Sequence, residues 1–472
     1  MQDLAGFPVV LAISEDSINN QLACVSVRTH DLPEQWHLGS DSDDWRLDIT
    51  DFEAPQIDFN TVIKNGCRLK MRVNKGSFSI DTIKKDLQTG KKEVVTESFP
   101  LDGISFYITT PVDCIKKKGE SQDGRLGEEI FLVQTLFADI TQVKDITLEG
   151  MSQEIKVKIT SSVEASLKEL IKIQIQAIAV KNPQALLFGS VLVPTIPDKK
   201  EAHGVLAPKG MNYSVTKIIN DGQYRTGVLN YLLWVDDPTA MPIGDAVGAF
   251  DQPLLLNDGD IDAPATLVIS DYILWEKFIK PQMELFYTSD KPGHEIPSFE
   301  VDHRQGESTA KLKLKNSFYY EHDGDDQHRF DRIEGAMSDK LHIEYDMYVR
   351  RQHWSGDVYG KGSGFIDLLF SYIDGKFDTA YTAPEPTVDT EMSLFTRILG
   401  DIISLGFDEI GINARQKEAK DRLKNIGASI APSLDQLLDL IEFPGKSVFD
   451  FDKVVMKGNL YLRARYKEFI SQ

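Results

Sequence analysis

Long runs of this chain alternate apolar and polar residues, and that pattern restricts the fold more than any other feature. Cys67, Leu69, Met71 and Val73 alternate with Arg68, Lys70 and Arg72, and Leu341, Ile343, Tyr345, Met347 and Val349 alternate with His342, Glu344, Asp346 and Tyr348. A period of two gives a strand one buried and one wet face, which points to antiparallel sheet rather than a parallel α/β core. Ile155, Val157 and Ile159 alternate with lysines in the same way and predict a further strand. Turn clusters at Lys117–Gly127, Asn220–Gly222, Asn257–Gly259 and His322–Asp326 punctuate these runs. Strands this long with one wet face predict strongly curved sheets.

Helical periodicity is confined to a few segments. One helix is expected after Ser14, where Ile18 and Leu22 stand at i and i+4. A second is expected from Ser270 through Leu274, Phe278 and Ile279, stopping or kinking before Pro281. Leu167, Leu170, Ile171 and Ile178 fit a helical stripe, while the alternation of Ile171, Ile173 and Ile175 fits a strand. Residues 392–441 read as mostly helical, with Met392, Phe395, Ile398, Leu399, Ile402 and Ile403 on one stripe and Leu434, Leu437, Leu438 and Ile441 on another.

The first two helix starts are related. LAISEDSINNQL (11–22) aligns without gaps on LVISDYILWEKF (267–278), a separation of 256 residues. Each copy has a short apolar strand, a serine at the N-cap position, an acidic residue in the first turn and an amphipathic helix. The match divides the chain into two units, 1–258 and 259–472. Each would hold an opening helix, a long alternating β region and a closing helical segment.

Composition excludes several function classes. With 472 residues and a net charge of −21, the chain repels nucleic acid and anionic surfaces in general. It has no apolar run long enough for a transmembrane helix and no basic start of a secretory signal, which leads us to expect a cytoplasmic protein or one secreted without a signal peptide. Cys24, Cys67 and Cys114 are too few and too scattered for a disulfide framework or a cysteine-rich zinc site. Gly445-Lys446-Ser447 has the tail of a phosphate loop, but Leu440 replaces its first glycine. The run Gly360–Gly364 is not a nucleophile elbow, since around Ser363 that motif needs glycines at 361 and 365, and His294-Glu295 lacks the second histidine of a zincin. His322-Asp323-Gly324-Asp325-Asp326-Gln327-His328 collects metal-capable side chains, yet its position between alternating runs suits a solvated hairpin tip. We therefore expect no enzyme, no cofactor and no metal site.

The segments FPVVLAISEDSINNQLACV (7–25), VLAPKGMNYSVTKIINDGQYRTGVLNYLLWV (205–235), ATLVISDYILWEKFIKPQMELF (265–286) and VVMKGNLYLRARY (454–466) resemble the clostridial P-forty-seven family of the tubular lipid-binding (TULIP) superfamily, whose best-known relative is bactericidal/permeability-increasing protein. The resemblance implies an α+β fold of two TULIP-like modules, each a long helix wrapped by a strongly curved antiparallel sheet with an apolar groove between them. It also implies a lipid or another elongated apolar ligand, and the family's occurrence in toxin gene clusters makes a toxin or a cluster-encoded protein a further expected partner. Ile18, Leu22, Leu274, Phe278, Phe395, Ile398 and Ile402 are the groove candidates. The alternative is an assembly factor whose groove has closed and which takes no lipid.

Overall fold

The computed structural model describes residues 4–388 and 426–466, apart from 30–34, 41–42, 86–89, 122–125, 127–128, 182–185, 196–202, 243–247, 249, 257–262, 289, 291, 303–308, 325, 352–357, 374–375, 383–386, 427–428 and 444–448. Numbered along the chain, the strands of the described residues fall into three antiparallel sheets. The central sheet has the order β11 (Gly210–Asn220), β12 (Gln223–Trp234), β1 (Val9–Ser14), β13 (Ala265–Ile269), β24 (Leu460–Tyr466) and β23 (Phe449–Met456). A second sheet runs β2 (Trp36–Leu38), β3 (Trp45–Phe52), β5 (Gly66–Lys85), β7 (Ser105–Gly119), β8 (Phe131–Ala138), β10 (Leu187–Pro194) and β22 (Ile441–Glu442). On it, β4 (Gln56–Asp58) and β6 (Lys92–Pro100) pair with β5, and β9 (Asp145–Glu149) pairs with β7. The third runs β14 (Phe299–Asp302), β15 (Lys311–Leu314), β17 (Asp326–Met337), β18 (Leu341–Arg351), β19 (Val358–Ile373) and β20 (Lys376–Thr382), with β16 (Phe318–Asp323) on β17 and β21 (Thr387–Val388) on β19.

The two-residue period is realised where it is longest. Cys67, Leu69, Met71 and Val73 of β5 and Leu341, Ile343, Tyr345, Met347 and Val349 of β18 are all buried in one apolar cluster, while their charged neighbours stay at least partly in water. The helices are α1 (Glu15–Thr29), α2 (Gln153–Lys158), α3 (Ser161–Lys181), α4 (Asp271–Ile273) and α5 (Lys280–Phe286), with a π-helical turn, Leu274–Ile279, joining α4 to α5. Residues 429–439 are also helical. The architecture is α+β with sheet predominating.

In the central sheet the two related openings lie side by side. Leu11 of β1 stands opposite Leu267 of β13, its own counterpart across the 256-residue separation. Each opening strand then takes one further antiparallel neighbour, β12 on β1 and β24 on β13, so the order reads alike from either edge. Both serines cap as expected: Ser17 N–H donates to Ser14 Oγ at 3.2 Å, and Ile273 N–H to Ser270 Oγ at 3.3 Å.

Several expectations need correction. Ile155, Val157 and Ile159 do not form a strand: Gln153–Lys158 is helix α2, capped by Ser152, and Val157 is 76% exposed. Three alternating residues cannot distinguish a strand from one and a half helical turns. The ambiguous segment is helix α3, which buries Leu167, Leu170, Ile171 and Ile178 and leaves Ile173 49% exposed. The second opening helix passes Pro281 and continues to Phe286. Pro281 lies in the first turn of α5, where its missing N–H follows the widened π turn and so interrupts no regular ladder. Ile441 belongs to strand β22 rather than to the helical stripe, and it pairs with Val191 of β10. Leu192 N–H donates to the Leu440 carbonyl at 2.8 Å and Ser121 Oγ to Glu442 Oε1 at 2.6 Å, so this late segment extends the second sheet. The whole of the first stripe, with Phe395, Ile398 and Ile402, lies outside the described residues.

The opening helix of the second half seats directly on its sheet. A Cβ at Gly335 of β17 would stand 2.6 Å from Cη2 of the Trp275 indole, so only glycine admits this approach. Gly335→Val is expected to destabilise the protein by about 1–3 kcal/mol through forced displacement of Trp275. Urea denaturation checks this, and an added Trp275→Leu substitution should recover part of the loss.

Candidate functional site

A cleft of about 520 Å³ opens where the ends of the second sheet and the central sheet meet the second opening helix. Pro194 closes β10 on one side, and Val235 follows the end of β12 on another. Gly204, Val205, Ala207, Pro208 and Lys209 line it from the segment leading into β11, and Lys277 reaches it from the π-helical turn. Its walls are mostly apolar, with two ammonium groups among them, and its size falls within the range of small-molecule pockets.

The segment lining the cleft is held at both ends. His203 Nε2 lies 3.1 Å from Glu129 Oε2, with the imidazole edge-on to Phe131. Lys209 N–H donates to the Trp234 carbonyl at 2.7 Å. Gly204 adopts φ +80°, and the space its Cβ would need is filled by Gln436 of the 429–439 helix. Between these anchors Leu206 and Ala207 are buried, whereas Val205 is 46% exposed. Lys277 Nζ lies 3.3 Å from Asp236 Oδ1, with both side chains half-buried.

A second, polar cavity of about 580 Å³ lies at the start of α1. Glu15, Asp16, Asn19 and Asn20 of the helix face Gln56, Ile57 and Asp58 of β4, with Lys70 of β5 and Tyr107 of β7 behind them. Asn19 pins the helix to β4, since its amide donates to the Ile57 carbonyl at 2.9 Å and its oxygen accepts from Ile57 N–H at 2.6 Å. Glu15 Oε2 accepts from Phe59 N–H at 2.9 Å and from the Tyr224 hydroxyl. Burial is the largest influence on this carboxyl and pushes it up to about 7, against those two hydrogen bonds and with help from nearby Asp58 and Asp16. Asp271, the counterpart of Glu15, is also buried and accepts from Ala310 N–H at 2.6 Å and Tyr272 N–H at 2.7 Å.

The groove candidates sit elsewhere. Ile18, Leu22, Leu274 and Phe278 all lie in the main apolar cluster, none more than 4% exposed. Phe395, Ile398 and Ile402 are outside the described residues. Sequence reasoning did not single out the cleft lining at 204–209 and 235; its signal was the glycine- and proline-bearing approach to a strand within the quoted segment VLAPKGMNYS. Lys277 stands among the apolar positions of its helix, and no local pattern marks it. The metal-capable segment forms the β16–β17 hairpin, with His322 and Asp323 exposed and His328 buried against Glu321 at 3.0 Å. Among the described residues no group of three metal-capable side chains converges, and no helix is long and apolar enough to cross a membrane.

Antiparallel sheets with helices laid against them make this an α+β protein. Its fold is shared with P47 of Clostridium botulinum E1, which aligns at 14% identity and a TM-score of 0.59 over 98% of this chain and 99% of that one. P47 from Clostridium botulinum A2 aligns at 13% identity and a TM-score of 0.57 over 98% of each chain. A lipopolysaccharide binding protein aligns over 98% of this chain at 11% identity, but at a TM-score of 0.27 nothing about fold or ligand follows. No family profile and no curated protein sequence matches the chain.

Removing buried side chains at the groove positions tests whether they are core. Phe278→Ala is expected to cost about 3–5 kcal/mol and Ile18→Ala about 2–5 kcal/mol in denaturant unfolding, with the slope unchanged. Side chains lining an open slot would show losses far below this range.

Proposed function

We propose that this protein binds a lipid or another elongated apolar ligand without catalysing a reaction on it, and that the cleft at Pro194, Val205, Pro208, Val235 and Lys277 receives the ligand. The observation that carries this reading is the cleft itself: about 520 Å³ of mostly apolar lining, left open between elements from both halves of the chain. Burial supplies the affinity, at about 0.8 kcal/mol per methylene taken from water. The division into units 1–258 and 259–472 belongs to the same proposal and is supported by Leu11 opposite Leu267. Phe395, Ile398 and Ile402 remain groove candidates on their sequence pattern.

A second reading is an assembly factor, including one that serves a toxin. The burial of Ile18, Leu22, Leu274 and Phe278 favours it, because the seam between helix and sheet is filled by protein at those positions. Its charge of −21 would then steer it to a basic partner.

Native mass spectrometry after incubation with fatty acids of increasing chain length separates the two. Ligand binding predicts a retained mass, with affinity rising about fourfold per added methylene until the cleft is filled. Val205→Trp, at a half-exposed position, should weaken this uptake at least about tenfold while leaving Tm unchanged. A mass that stays clean at every chain length selects the assembly factor.

A further inference from the structure

We propose that the polar cavity beside the first turns of α1 is a binding site for a neutral, hydroxyl-rich ligand, a saccharide. It shares no lining residue with the apolar cleft, so it stands independently of the ligand proposed there. Its walls are braced against one another. Asn19 ties α1 to β4 through the N–H and the carbonyl of Ile57, and Arg68 of β5 grips Asp58 of β4 with two bonds at 2.7 and 2.8 Å. The same guanidinium lies 4.8 Å from the centre of the Tyr107 ring on β7. A cavity held in this way is formed before a ligand arrives, so binding need not order it.

Glu15 is the strongest pointer to a ligand. It is only 9% exposed and lines the cavity, yet its two hydrogen bonds, from Phe59 N–H and from the Tyr224 hydroxyl, both go to Oε2. Oε1 is left without a partner, and an oxygen so far removed from bulk water is stabilised by any donor that reaches it. The side chains of Asp16, Asn20 and Tyr107 also make no hydrogen bond among the described residues. Gln56 uses only its oxygen, toward Lys70 Nζ at 3.3 Å, which leaves its amide N–H groups and two N–H of the ammonium to spare.

This unused capacity selects the ligand class. Donors from Gln56, Lys70 and the Tyr107 hydroxyl stand among acceptors from Glu15 and Asp16, and Asn20 offers both. A hydroxyl group donates and accepts at once, so a ligand with several of them satisfies such a mixture. A phosphate or carboxylate would meet the carboxylates of Glu15 and Asp16, whereas a metal ion or an amine would meet the Lys70 ammonium beside Arg68. The Tyr107 ring adds an aromatic surface of the kind on which the C–H face of a sugar ring packs. Asp16, Asn20 and Gln56 are exposed, so the cavity is open to solvent, and about 580 Å³ falls within the range of small-molecule sites.

Saturation-transfer NMR of the full chain tests this with glucose, galactose, mannose, N-acetylglucosamine, maltose and lactose, alongside calorimetric titration with inorganic phosphate, spermidine and calcium chloride. At least one saccharide should receive saturation, and the three ions should give no heat of binding. Gln56→Ala and Tyr107→Phe each delete one hydrogen-bonding group and should weaken that saccharide about fivefold. Asn20→Trp, which puts bulk at an exposed position of the lining, should abolish binding with Tm unchanged, and Val205→Trp in the apolar cleft should leave it intact. Silence from every saccharide would overturn the proposal. So would binding that survives Asn20→Trp, binding lost in Val205→Trp, or an ion that binds where the sugars do not. Should Tyr107→Phe fail to fold, Gln56→Ala and Asn20→Trp decide, since both positions are exposed.

Discussion

The pairing of β1 with β13 is the contact on which the rest of the structure depends. Every residue of both strands is buried, because an apolar cluster covers each face of the central sheet. Val9, Leu11 and Ile13 enter the main cluster with Ala265, Leu267 and Ile269, while Val10, Ala12 and Val268 face a smaller one with Phe7, Leu232 and Leu254. A slip of one residue would exchange those faces, so the register is strongly specified. Both opening helices leave from the ends of these two strands, and the hairpins carrying β12 and β24 flank them. Disturbing this pairing therefore displaces both halves.

Related helix starts meet different fates in the two halves. A carboxylate in the first turn suits the helix dipole in each case. Asp271 accepts from Tyr272 N–H beside it and from Ala310 N–H on a later segment. Glu15 has one more methylene and extends to Phe59 and Tyr224 on other elements, beside a polar cavity.

Among the described residues the apolar cleft opens at the ends of packed strands, and the polar cavity opens beside the first turns of α1. Ile18 and Leu22 of α1 and Leu274 and Phe278 of the 271–286 helix are buried in the main apolar cluster, and Trp275 packs closely over Gly335. The segment that lines the cleft is anchored through His203 to Glu129 and through Lys209 N–H to the Trp234 carbonyl, with Gln436 packed against Gly204. The fold shared with the P47 structures accounts for the sheets and the helices on them; the cleft is a matter of local side chains.

Periodicity and capping chemistry are local properties, and they were legible in the sequence. The alternation in β5 and β18 and the serine caps at 14 and 270 each depend on neighbours within a few residues. Short or mixed patterns were not: Ile155–Ile159 and Ile171–Ile175 could be assigned only once their packing partners were known, and Pro281 is tolerated because a π turn precedes it. Leu11 opposite Leu267, β22 joining β10, the cleft and the burial of Glu15 all bring together residues far apart along the chain. Such contacts depend on which surfaces exclude water from one another, and only the folded chain decides that.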